Sequence, residues 1–121
     1  MSKRILVIED QEDNRRILRD LLTSVGYDLI EAGTGEEGVT LAETQRPDLI
    51  LMDIQLPGMD GYETMRRSKA NLALRRVPII AVTSYALSGD DAKALAAGYD
   101  AYVTKPFSPG ALLAKIREYV P

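Results

Sequence analysis

Five short apolar runs recur along the 121 residues, each separated from the next by a longer polar or amphipathic stretch, and this alternation is what most restricts the possible folds. The runs are RILVIE (4–9), DLIEA (28–32), DLILMD (48–53), PIIAVT (78–83) and AYVT (101–104). Most lack the polar alternation of a strand with one wet face, so they read as strands buried on both faces. Helical spacing fills the gaps: Ile17, Leu18, Leu21, Leu22 and Val25 in the first, Val39, Leu41 and Ala42 in the second, Leu112, Leu113, Ile116 and Val120 in the last. Fainter helical patterns cover 61–72 and 88–97. Gly26 and Gly98 stand where helices should stop, Pro47 and Pro78 just before strands, and Ser88 and Ser108 where N-caps belong. Five βα units predict an α/β fold with one parallel sheet covered by helices on both faces.

This length suits a single domain over 1–121, burying roughly two-thirds of its unfolded surface, and leaves no room for an output domain. With 45% hydrophobic and 27% charged residues and a net charge of −3, the chain has no basic field to attract nucleic acid or anionic lipid. It contains no cysteine and no histidine, which excludes disulfides, thiolate metal sites and the usual general base near neutral pH. Any chemistry must therefore run on carboxylates, hydroxyls and lysine. The opening MSKRILVIED has only a short apolar run ending in two acids, neither a signal peptide nor a membrane span, so a soluble cytoplasmic protein is expected.

Parallel sheets of this kind bind ligands beyond the carboxyl ends of their strands, near the point where strand order reverses. Those ends carry Glu9 and Asp10, then Asp53, then Thr83, then Thr104 and Lys105 followed by Pro106. In a flavodoxin-like doubly wound (βα)5 sheet of order 2-1-3-4-5, these residues share one rim. Taken singly, Asp10 reads equally well as a helix cap, Thr83 as a β-branched strand residue and Lys105 as an exposed loop lysine. Asp53, beside Met52 and Ile54, loses hydration unless a cation or donors compensate. Their joint placement carries the signal. Carboxylates without histidine or cysteine suit a hard cation, and two or three protein ligands suit Mg²⁺, which keeps waters and takes phosphate oxygens. Asp53 then reads as a nucleophile for a phosphoryl group, with Lys105 and Thr83 holding oxygens the metal does not reach.

The motifs VIED, LILMDIQLPGMDG, AVTS and AYVTKPF, in this order and each at an expected strand end, resemble the receiver domain of two-component response regulators over essentially the whole chain. The resemblance implies that Asp53 is the phosphorylated aspartate and that Asp10, Asp53 and the backbone carbonyl of Gln55 hold Mg²⁺, with Glu9 acting through a coordinated water. It further implies that Lys105 pairs with the phosphoryl group, that Thr83 hydrogen-bonds it, that Tyr102 is the aromatic that turns inward on activation, and that the Lys105–Pro106 bond is cis. The donor would be a phosphohistidine on a histidine kinase or phosphotransfer protein, and the receiver would have limited self-phosphorylation and slow self-hydrolysis. Output would pass to a target protein through the helix after strand 4, strand 5 and the last helix. Gln11 and Ser84 depart from the commoner residues at their positions without removing a ligand, while Gln55 and Tyr85 sit where hydrolytic water is gated. Bacterial stand-alone receivers serve chemotaxis, phosphorelays and cell-cycle control, and the chain looks somewhat like the cell-cycle kind; a monomer that could dimerise when phosphorylated is expected.

Ile17, Leu18 and Leu21, interleaved with Arg15, Arg16 and Arg19, form the candidate docking face together with Pro106 and Phe107. An ordinary amphipathic helix with a solvated basic side reads equally well. A second functional class comes from GTGEEG (33–38), which matches the dinucleotide fingerprint and has Asp53 about 20 residues further on. Glu36 and Glu37 would repel a pyrophosphate at that helix start, so the glycines read better as a turn. A third class is an interaction module with this fold that is never phosphorylated.

Overall fold

In a computed structural model the described residues are 3–53, 61–72, 74–83, 95–104 and 108–120, with the main chain alone at 61, 62 and 83. Five strands, β1 (Arg4–Ile8), β2 (Asp28–Ala32), β3 (Leu49–Asp53), β4 (Ile79–Thr83) and β5 (Ala101–Thr104), form one sheet in the order β2-β1-β3-β4-β5. Every neighbouring pair is parallel. The helices are α1 (Glu12–Ser24), α2 (Gly35–Gln45), α3 (Gly61–Ala70) and α4 (Pro109–Arg117). Of the helix expected over 88–97, residues 95–97 are helical and 88–94, with Ser88, lie outside the described residues.

Strand burial explains the apolar runs. Ile5, Val7, Leu49, Leu51, Ile80 and Val82 face one layer, where they pack with Leu18 and Leu22 of α1 and Leu112 and Ile116 of α4. The alternate residues Leu6, Ile8, Ile50, Met52, Ile79 and Ala81 face the other, with Ala42 of α2, Met65 of α3 and Leu74. A sheet between two helical layers needs apolar residues at consecutive positions. The division of helices follows from topology, because right-handed crossovers place the helix on one face when the chain steps one way along the sheet and on the other face when it steps back. That reversal falls at β1, so the crevice opens between the ends of β1 and β3.

Local chemistry sets the boundaries. Gly26 and Gly98 have φ of +95° and +127°, where a side chain would be strained, and they end helical stretches as expected. Arg46 takes the left-handed conformation at the end of α2, with φ of 49°, so the helix stops before Pro47 is reached. Ser108 accepts from the Ala111 N–H at 3.1 Å and Pro109 opens α4, satisfying the N-terminal donors as the sequence suggests. Among the described residues no helix is long and apolar enough to cross a membrane.

GTGEEG is a helix start. The Thr34 hydroxyl accepts from the Glu37 N–H at 3.1 Å, and the Glu37 carboxylate accepts from the Gly33 N–H at 3.1 Å. Donors that a pyrophosphate would require are thus taken by the helix's own residues. Nor are the glycines all part of a turn: Gly35 and Gly38 lie within α2, and a Cβ on Gly38 would collide with Cδ1 and Cγ1 of Ile8. Gly38 serves close packing of α2 on β1.

Candidate metal centre

Ile8 of β1 pairs with Met52 of β3, so the residues that follow them, Glu9 just past β1 and Asp53 at the last position of β3, stand side by side. Oxygens of Glu9, Asp10 and Asp53 all lie within 4.8 Å of one another. Glu9 is 3% and Asp53 9% exposed, while Asp10 is open to solvent. At this spacing each ionised pair repels by roughly 3 kcal/mol for an effective dielectric near 20. A multivalent cation among the oxygens reverses the sign of that contribution. With neither histidine nor cysteine in the chain, an all-oxygen donor set fits a hard cation and disfavours zinc or copper. Two buried carboxylates and one exposed one also give such an ion access to water.

Glu9 is fixed from several directions. Its N–H donates to the Ala32 carbonyl at 3.0 Å, and its carbonyl accepts from Arg15 Nη1 at 2.6 Å. Its Oε1 accepts from Asn14 Nδ2 at 3.0 Å and from the Gln11 N–H at 3.4 Å. The first turn of α1 therefore wraps over the acidic end of β1. Asn14 was not among the residues singled out in the sequence, and only its place in the helix turn after the acidic pair could have indicated it. Arg15, expected on a solvated basic side, is only 18% exposed and turns inward.

A ring of charge surrounds this turn. Arg15 pairs with Glu12 and with Glu31 of β2 at 3.6 Å, and Arg19 grips Glu31 through two bonds of 2.7 Å. Hydrogen bonds from Arg15 and then Arg19 hold the Glu12 carboxyl below the ordinary carboxylate range. The Arg19 guanidinium is pushed above its usual value, chiefly by its bonds to Glu31.

Other expected site residues are placed as follows. Thr83 ends β4 and pairs with Thr104 of β5, one position beyond the Asp53 and Val82 pair. Tyr102 is half-buried and packs against the core layer that contains Ala81 and Tyr99. Gln55, Ser84, Tyr85, Lys105, Pro106 and Phe107 lie outside the described residues. The expected docking stripe divides: Ile17 is 57% exposed, Leu21 is half-buried, and Leu18 is 4% exposed within the core. Leu18 faces the sheet beside Leu22, so its side chain is not available at the surface. Val25 is the C-cap of α1 and is exposed rather than continuing the stripe.

A parallel 2-1-3-4-5 sheet with acids gathered at its switch point defines a receiver-type α/β protein. The chain belongs to the response regulator receiver domain family, whose model matches residues 5–117. It is similar to the polar-differentiation response regulator DivK of Brucella anthropi, 41% identical over 120 residues and covering 99% of this chain and 98% of that protein. Its backbone is similar to that of the receiver domain of sensor histidine kinase PA1611 from Pseudomonas aeruginosa, with TM-score 0.92, 39% identity, and coverage of 99% and 98% of the respective chains. That crystal structure has a magnesium ion coordinated in its active-site cleft. The chemotaxis protein CheY4 of Vibrio cholerae shares the fold, with TM-score 0.91, 24% identity and coverage of 98% and 99%.

Proposed function

We propose that this receiver domain acts as one unit over 1–121, accepting a phosphoryl group on Asp53 from a phosphohistidine of a histidine kinase or phosphotransfer protein. The observation that carries this is the Asp53 carboxylate, at the end of a buried strand and within 4.8 Å of oxygens on Glu9 and Asp10. A carboxylate so placed can be both ligand and nucleophile. Mg²⁺ would be held by Asp10, Asp53 and the Gln55 carbonyl, with Glu9 acting through water; when bound, it draws charge from the phosphoryl oxygens.

An Asp53 oxygen attacks phosphorus in line as the bond from phosphorus to the donor imidazole breaks; the leaving nitrogen keeps the electron pair, so a phosphohistidine protonated on its other ring nitrogen leaves as a neutral histidine and Asp53 becomes an acyl phosphate. Thr83 donates its hydroxyl to one phosphoryl oxygen and Lys105 its ammonium to another. The new group adds about −1.5 to −2 charge and three acceptor oxygens, which draw Thr83 inward and make room for Tyr102 to repack. The surface that changes comprises the helix before Gly98, β5 and α4. Its reader is a target protein, and the resemblance to a polar-differentiation regulator supports a role of that type. Slow attack of water on the acyl phosphate resets the switch.

Labelling by acetyl phosphate or a phosphorylated kinase in the presence of Mg²⁺ tests the assignment. Asp53→Asn should take up no label. Label retained at the wild-type level by that variant would overturn it in favour of another acceptor, and a wild-type chain that takes up no label would favour an unphosphorylated interaction module.

A further inference from the structure

We infer that Arg15 is a positioning residue for the acid cluster, acting on a bound divalent cation through Glu9; this rests on the metal reading proposed above. Glu9 lies one residue past the last β1 and β2 pair, Ile8 with Ala32, where the regular ladder ends. Its N–H still reaches the Ala32 carbonyl at 3.0 Å, but on the other side of the residue it is Arg15 Nη1 that holds the carbonyl, at 2.6 Å. The main chain is thereby pinned on both sides of the Cα that carries the carboxylate. Asn14 and the Gln11 N–H then fix Oε1.

The guanidinium is itself held. Glu12 and Glu31 pair with it, and Arg19 in turn fixes both of these acids. Two arginines and two glutamates sum to zero charge, so the clamp brings a donor close to the acids without adding a net field that would repel a cation. Gly33 supplies the space: a Cβ there would stand 3.3 Å from Arg15 Nη1, tighter than ordinary packing. Arginine suits this task because its planar fork makes several directed bonds at once, whereas lysine presents a single charged point. Hard-cation sites tolerate only a few tenths of an ångström in ligand placement, so a loosened Glu9 main chain weakens the site even with every ligand present.

Isothermal titration of the full chain with magnesium chloride alone provides the test, with Asp10→Asn as the reference for losing the site. Arg15→Ala should raise the Mg²⁺ dissociation constant about tenfold, the lower end of the usual loss for outer-shell partners. Arg15→Lys, which keeps the positive charge without the planar fork, should recover part of that loss. In acetyl phosphate labelling, Arg15→Ala should need more Mg²⁺ for half-maximal rate yet reach a saturated rate within about twofold of wild type. A general structural defect would lower the saturated rate as well, and that result overturns the positioning role. Unchanged Mg²⁺ affinity in Arg15→Ala, alongside its loss in Asp10→Asn, also overturns it while leaving the metal reading intact. Unchanged affinity in both variants removes the metal reading and the positioning role together. If Arg15→Ala does not fold by circular dichroism, Gly33→Ala takes its place: a smaller rise in the dissociation constant supports the inference, and no change overturns it.

Discussion

Glu9 and Asp53 emerge from adjacent parallel strands at the same level because Ile8 and Met52 are paired one residue before them. This register brings together two acids more than forty positions apart in the chain. Asp10 completes the group from the solvent side.

Asp10→Ala should weaken Mg²⁺ binding by at least about tenfold and slow labelling of Asp53 at limiting Mg²⁺, because the most accessible oxygen ligand is removed. Titration calorimetry reads the first effect and the rate of labelling the second. Equal affinity in the variant and the wild type would count against Asp10 as a ligand.

Gly38→Ala should destabilise the protein by about 1–3 kcal/mol, as overpacking of a close-packed core usually does. The new methyl would meet Ile8, which is 1% exposed and cannot swing into solvent. Urea unfolding should show a lower midpoint with an unchanged slope. The opposite shift would mean that α2 can retreat from β1 at little cost.

Asp100 is suited to a contrasting variant. Its Oδ2 accepts from the Ile79 N–H at 2.8 Å and from Lys69 Nζ at 2.9 Å, at the end of the sheet opposite the acids. Asp100→Ala leaves the Ile79 N–H without that acceptor and should cost about 1–3 kcal/mol. Mg²⁺ affinity should stay within twofold of wild type, measured by the same titration. A large loss of affinity would show that the two ends of the sheet are coupled.

Acid should expose the α1 and α3 ion pairs. Glu12 and Glu63 both have folded pKa values below the ordinary 4.5, caused first by bonds from Arg15 and Arg66 respectively. The unfolded chain therefore takes up these protons first, so their contribution is present above about 4.5 and is lost as pH falls through the lower folded values. Both carboxylates are exposed, so the effect should be small and should shrink in salt. Urea midpoints from pH 6 to 3 should fall less steeply for Glu12→Gln than for wild type; identical slopes would contradict the assignment.

The strands were legible because burial on both faces leaves continuous apolar runs, while their order was that of a flavodoxin-like sheet and is not written in the runs themselves. The ends differ only where Glu9, Asp48 and Pro78 fall outside the ladder. The acids were legible for a related reason: a carboxylate directly after a buried strand has nowhere to go but the rim. Residues of α1 were harder to divide. Helical periodicity gives a stripe but not its edges, so Leu18 and Ile17 look alike although one is core and the other is exposed. Arg15 and Arg16 are also adjacent and chemically identical, yet only Arg15 meets the Glu9 carbonyl, a contact set by the end of β1 in space. Gly38 matched a turn pattern because close helix packing and tight turns both select glycine.

The most direct measurement is to treat the protein with acetyl phosphate and Mg²⁺, trap the product with borohydride and map the modified residue by peptide mass spectrometry. Reductive trapping of an acyl phosphate should mark Asp53 and no other carboxylate. Modification at Asp10 or elsewhere with Asp53 intact, or none under conditions in which Mg²⁺ binds, would contradict the account.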